Sequence, residues 1–79
     1  MERTEILSKL NEIFIEILDL DECDLNEHTN AGDIEEWDSL AQIQLVVAIE
    51  KEFGIKFTAQ EINSWQDVGA MMNTIISKL

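Results

Sequence analysis

From Ile6 onward the chain repeats its apolar positions at helical spacing. Ile6, Leu7, Leu10, Ile13, Phe14, Ile17 and Leu18 fall at i, i+1, i+4, i+7, i+8, i+11 and i+12, which predicts an amphipathic helix over residues 4–18. Glu2, Glu5, Glu12 and Glu16 lie off the stripe, and the first two suit the positive end of that helix. Residues 19–37 then lose all periodicity. A polar connection of this length implies a function or a short helix of its own, with Leu20, Leu25 and Ile34 as its anchors. Periodicity returns over residues 38–53, where Asp38 reads as an N-cap and Gly54 as a stop. Ile55-Lys56-Phe57 reads as an apolar connection. Thr58-Ala59-Gln60-Glu61 is a capping box that opens a short helix ending near Asn63. Ser64-Trp65-Gln66-Asp67 reads as a second box opening the last helix, whose stripe is Val68, Met71, Met72, Ile75, Ile76 and Leu79. The expected fold is all-α: a four-helix bundle with three long helices, a short third helix and a long loop between the first and second. Residues 1–79 are expected to form one domain.

The second long helix has two faces of different use. With Leu40 at zero on a helical wheel, Leu45, Val46, Ile49 and Phe53 cluster at roughly 140–240° and form the core face. Leu40, Gln44, Val47 and Lys51 lie within roughly 40° of zero, on the opposite side. Leu40 and Val47 therefore point away from the core of their own helix, as a small docking patch or as a surface covered by the long loop. Ser39 sits beside them in the first turn, where backbone N–H groups are unpaired and the macrodipole favours an anion. From position alone Ser39 is a helix-start residue. Its hydroxyl has no activating base: the single histidine, His28, lies eleven residues upstream in a polar loop, and a nucleophilic triad needs an oriented base within reach.

Composition narrows the functions further. The 79 residues carry 17 acidic and 5 basic side chains, a net charge of −12, with 46% hydrophobic residues and no proline. That apolar content is too high for a disordered acidic tail. The charge disfavours nucleic acid and anionic membrane surfaces and points to basic protein partners, drawn in by long-range attraction. No apolar run approaches the roughly 18–20 residues of a membrane span, and the N-terminus lacks the features of a secretory signal. A single cysteine, Cys23, forms no internal disulfide and suits a reducing cytoplasm. A calcium-loop reading of the segment from Asp19 fails at Cys23, Asp24 and Asn30. Asp33, Glu35, Glu36 and Asp38 offer at most weak divalent binding, and a solvated acidic loop is the plainer reading. Cys23 with His28 lacks the partners of a zinc site.

The run Glu36-Trp37-Asp38-Ser39-Leu40, followed by Ile43-Gln44-Leu45-Val46 and by residues 48–55, AIEKEFGI, resembles the acyl carrier protein family. The triplet Asp38-Ser39-Leu40 is short. Its setting is specific: it opens a helix ending in Glu-Lys-Glu-Phe-Gly-Ile inside a highly acidic chain, and the resemblance extends over essentially the whole length. It implies a four-helix bundle carrying 4′-phosphopantetheine on Ser39, installed from coenzyme A by a phosphopantetheinyl transferase with Mg²⁺. It implies that Asp38, Leu40, Gln44, Val47 and Glu50 meet partner enzymes. It implies that Val46, Ile49, Phe57 and Ile62 line the interior where a tethered acyl chain shelters. A carrier of this kind is not an enzyme. Its serine needs no base of its own, because the transferase supplies the catalysis. The expected partners are that transferase and the enzymes that load and transfer acyl groups, with the carrier itself a monomer.

The departures from the family pattern carry information as well. Glu36-Trp37 stands where fatty-acid carriers commonly have Gly-Ala, and Ala41 stands where they have an acid. No acidic residue occurs from Ser39 to Ile49. Trp37 looks more like stand-alone carriers of specialised pathways, polyketide-like, aminoacyl or saccharide-modifying, than like those of fatty acid synthesis. Two alternatives stay open at this point. One is an acidic helical adaptor that is never modified. The other is a peptidyl carrier of nonribosomal peptide synthesis, whose usual Gly-Gly-His/Asp-Ser-Leu form is missing.

Overall fold

The computed structural model describes residues 2–79. Four helices follow one another: α1 over Arg3–Leu18, α2 over Ser39–Phe53, α3 over Ala59–Asn63 and α4 over Val68–Lys78. Three are long and the third is short, and no strand occurs among the described residues. The long connection between α1 and α2 holds one 3-10 turn at Ala31–Asp33, closed by a capping box between Asn30 and Asp33.

The core is the meeting of three stripes. Ile6, Leu10, Ile13 and Phe14 come from α1, Leu45 and Ile49 from α2, and Val68, Met71, Met72 and Ile75 from α4. Each large side chain buried in this way contributes roughly 1.5–3 kcal/mol of transfer free energy. The long connection adds Leu25 and Trp37 to the same core, and the Trp37 ring meets Phe14 edge-on at 4.9 Å. Leu20 and Ile34 are half-buried against it, as their anchoring role requires.

Each helix end follows from a local residue choice. Asp38 holds an extended backbone, and its Oδ1 accepts the Ala41 N–H at 2.8 Å, which starts α2. Gly54, at φ 67°, ends the same helix in the left-handed region, where a side chain would be strained. Thr58 and Glu61 cap α3 reciprocally, as the box predicts.

The start of α4 differs from the sequence expectation. Ser64 does not cap that helix. Its backbone is helical and its hydroxyl donates to the Glu61 carbonyl at 2.6 Å, so it ends α3. Asp67 has the extended backbone that an N-cap needs, and its Oδ1 accepts the Ala70 N–H at 2.8 Å. Trp65 and Gln66 are left between the two helices.

The long connection is fastened to α4 through its backbone. The Thr29 carbonyl accepts the Val68 N–H at 2.9 Å, and the Glu27 carbonyl accepts the Gly69 N–H at 2.8 Å. Two donors that a helix start leaves unpaired are satisfied in this way. The approach is close enough that a Cβ at Gly69 would lie 3.0 Å from the Glu27 oxygen. Arg3 adds a paired contact to the Glu27 carboxylate and donates to Asn73 Oδ1 at 2.7 Å. The first helix, the loop and the last helix are thereby tied at one corner.

Candidate functional site

Ser39 is the first residue of α2 and is exposed. The Asp38 cap takes up the Ala41 N–H, and the Asp38 carbonyl accepts from Gln42 at 2.9 Å. Neither the Ser39 nor the Leu40 N–H has an acceptor among the described residues. These two free donors and the positive end of α2 favour an anion at the Ser39 hydroxyl.

A cavity of about 530 Å³ opens beside Ser39, between the start of α2 and the segment running from α3 into α4. Its deep side is Trp37 and Met71, both buried, with Ile43 and Ile62 on its flanks. Asp38, Gln42, Asn63, Gln66 and Asp67 bring polar groups to it. Trp37 is held in place by its Nε1–H, which donates to Gln42 Oε1 at 2.6 Å. Trp65 forms another wall. Its Nε1–H donates to Thr74 Oγ1 at 3.0 Å, and its ring meets Phe57 edge-on at 4.9 Å. A cavity with an apolar interior and polar groups around it suits a chain that starts at a charged phosphodiester and continues into amides and alkyl carbon.

The residues singled out in the sequence fall into three groups. Ser39 and Asp38 stand together at the cavity with Ile62. Leu40 and Val47 are exposed, at 66% and 45%, with Gln44 exposed on the same side of α2. Val46, Ile49 and Phe57 are not on the cavity lining: Val46 and Ile49 are buried on the core face of α2, and Phe57 stands behind Trp65. Glu50 is occupied within the fold, because its Oε2 accepts the Phe57 N–H at 2.8 Å. It fixes the chain that leaves α2.

Ile43 is a member of the site that the wheel missed. It is 63% exposed and lines the cavity, yet it falls between the two faces drawn on the wheel. Gln42 was missed too, since nothing in its spacing announces a bond to Trp37. His28 is exposed and does not line the cavity beside Ser39. Cys23 is half-buried against the core, and that burial, with Asp24 nearby, holds its thiol pKa above the ordinary value.

Residues 8–75 match the family model described as "Phosphopantetheine attachment site". An acyl carrier protein of Thermotoga maritima is 35% identical over 77 residues, covering 98% of this chain and 95% of its own. Polyketide-8 synthase acyl carrier protein 2 of Streptomyces avermitilis is 27% identical, covering 90% of this chain and 82% of its own. A solution NMR structure of holo acyl carrier protein from Geobacter metallireducens superposes with a TM-score of 0.85 at 35% identity, covering 91% of this chain and 83% of that one. Proteins of this kind are carriers, served by a phosphopantetheinyl transferase and by biosynthetic enzymes. The chain belongs to the acyl carrier protein family and is an acyl carrier with covalently attached 4′-phosphopantetheine.

Proposed function

We propose that residues 1–79 form one carrier domain that holds its prosthetic group on Ser39 and performs no catalysis itself. The observation that carries this is an exposed hydroxyl at the first turn of α2, with free N–H donors around it and a cavity opening at its side. When bound, the group supplies a thiol that holds acyl cargo as a thioester. The chain's own residues do the rest. Asp38 sets the backbone so that Ser39 faces outward. The first-turn N–H groups favour the phosphodiester charge. Trp37, Ile62 and Trp65 offer apolar walls to the start of the tethered chain. Leu40, Gln44 and Val47 present a partner surface one to two turns from the attachment point. Tethering makes delivery effectively intramolecular once the carrier has docked.

Glu50, Val46, Ile49 and Phe57 remain in this proposal with narrower parts. Glu50 meets partners only with the rim it leaves beside the Phe57 N–H. Val46, Ile49 and Phe57 shelter cargo that passes beyond the cavity lining. A specialised pathway in the cytoplasm is the preferred setting. It is supported by the absence of acidic side chains from Ser39 to Ile49 and by the polyketide carrier among the relatives.

The test is direct. The protein is incubated with a broad-specificity phosphopantetheinyl transferase, coenzyme A and Mg²⁺, and then weighed. A mass gain of one phosphopantetheine in the wild type, absent in Ser39→Ala, is expected. No gain in the wild type, or an equal gain in Ser39→Ala, would overturn Ser39 as the attachment residue.

A further inference from the structure

The outer face of α2 continues into a second concavity. A groove of about 350 Å³ lies between α1 and α2, lined by Ile17 on one side and by Ile43, Gln44, Val47, Ala48 and Lys51 on the other. It is distinct from the Ser39 cavity, yet Ile43 belongs to both linings. The groove therefore begins where the cavity ends. Leu40, Ile43 and Val47, all exposed, make a continuous aliphatic track from Ser39 into it.

The lining of this groove departs from the charge of the chain as a whole. The protein carries −12, but α2 has no acidic residue from Ser39 to Ile49. The one charged residue lining the groove is Lys51, which is exposed and makes no ion pair among the described residues. The nearest acids on α2 are engaged elsewhere: Glu50 accepts from the Phe57 N–H, and Glu52 pairs with Lys9 at 3.7 Å. On the lining itself a basic partner group finds no anion and meets a cation.

We infer that the α1–α2 groove is a docking socket for an acyl-loading or acyl-transferring enzyme that inserts an apolar side chain between Ile17 and Val47 and sets a carboxylate against Lys51. The inference rests on the carrier reading above and adds the chemistry of the partner. An apolar anchor seated in a pocket supplies affinity, and one charge at the rim supplies register. Association of this kind depends on area removed from water, which salt does not screen.

The experiment uses the full chain, after weighing has shown that the wild type gains its phosphopantetheine. A benzophenone amino acid is placed at Val47, and in a control at Gln60, an exposed position on α3. Each protein is irradiated in an extract of its own cells, and the attached peptide is sequenced. Position 47 is expected to capture an acyl-loading or acyl-transferring enzyme, identified from its peptides, at a site with an apolar residue and an Asp or Glu within four residues of it. Raising NaCl to about 0.5 M is expected to lower that capture by no more than Lys51→Gln does, because salt screens the Lys51 contact and leaves the apolar anchor in place. Lys51→Glu, and more mildly Lys51→Gln, is expected to lower it several-fold while leaving the helical spectrum unchanged. No capture from position 47, capture only from position 60, a captured peptide rich in Lys and Arg, complete loss of capture in salt, or stronger capture by Lys51→Glu would each overturn the inference. Absence of the mass gain would instead strike the attachment proposal.

Discussion

At the scale of single residues, Asp38 performs two separable jobs. Its carboxylate caps α2, and it neighbours the Ser39 hydroxyl proposed as the attachment point. Asp38→Ala removes the acceptor for the Ala41 N–H and is expected to cost about 1 kcal/mol, read as a lower urea midpoint. Asp38→Asn keeps an acceptor and is expected to hold the midpoint while slowing phosphopantetheine transfer. Ser39→Ala touches no core contact, so its stability is expected to stay within about 0.5 kcal/mol of wild type. Trp37 behaves in the opposite way. Trp37→Ala removes a buried ring from Phe14 and strands the Gln42 side chain, at about 3–5 kcal/mol. A chain of this size has roughly 5–15 kcal/mol in all, so a large fall in thermal midpoint is expected. Cys23, with its raised thiol pKa, is expected to react with iodoacetamide at neutral pH more slowly than a free cysteine in solution.

At the scale of elements, α1, α2 and α3 were legible because their signals are local. A stripe, a cap and a glycine stop sit within one stretch of sequence, and Asp38, Gly54 and the Thr58–Glu61 box stand where they were expected. The start of α4 was misplaced because both Ser64 and Asp67 have capping side chains, and only the backbone distinguishes them. The fastening of the long loop to α4 left no trace in the pattern. It runs through carbonyls of Glu27 and Thr29, and any residue supplies a carbonyl. The cavity was equally invisible, since it is the space between elements. Its one local hint, a tryptophan directly before the capping aspartate, does not reveal where the ring points. The exposed face of α2 was read correctly at Leu40 and Val47 but lacked Ile43. Leu40→Glu or Val47→Glu is expected to leave the urea midpoint within about 0.5 kcal/mol of wild type while lowering acyl transfer to partner enzymes. Gly69→Ala is expected to destabilise, because its methyl group would press on the Glu27 backbone oxygen rather than on a yielding side chain.

For the whole molecule, charge is the governing property. A net −12 on a body 29 × 25 × 22 Å opposes compaction, so moderate NaCl is expected to raise the thermal midpoint by screening that repulsion. The corner that joins α1, the loop and α4 has its own acid response. The hydrogen bond from Arg3 holds the Glu27 carboxyl below the ordinary range. A carboxylate with a lowered folded-state pKa stabilises fully above its unfolded value, about 4.3, and loses that contribution as pH falls through the folded value. Comparing urea midpoints of wild type and Glu27→Gln across pH is therefore expected to show a gap at neutral pH that closes in acid. Glu61, lowered by the Thr58 N–H and by Lys78, is expected to behave the same way.

The two indoles have a practical consequence. The chain contains no tyrosine, and both of its tryptophans, Trp37 and Trp65, wall the same cavity beside Ser39. Ultraviolet emission from this protein therefore arises at the cavity proposed to receive the tethered chain. Anything that enters displaces water from the half-buried Trp65 ring and alters the surroundings of the buried Trp37, so a fluorimeter can follow filling and emptying in real time with no dye attached.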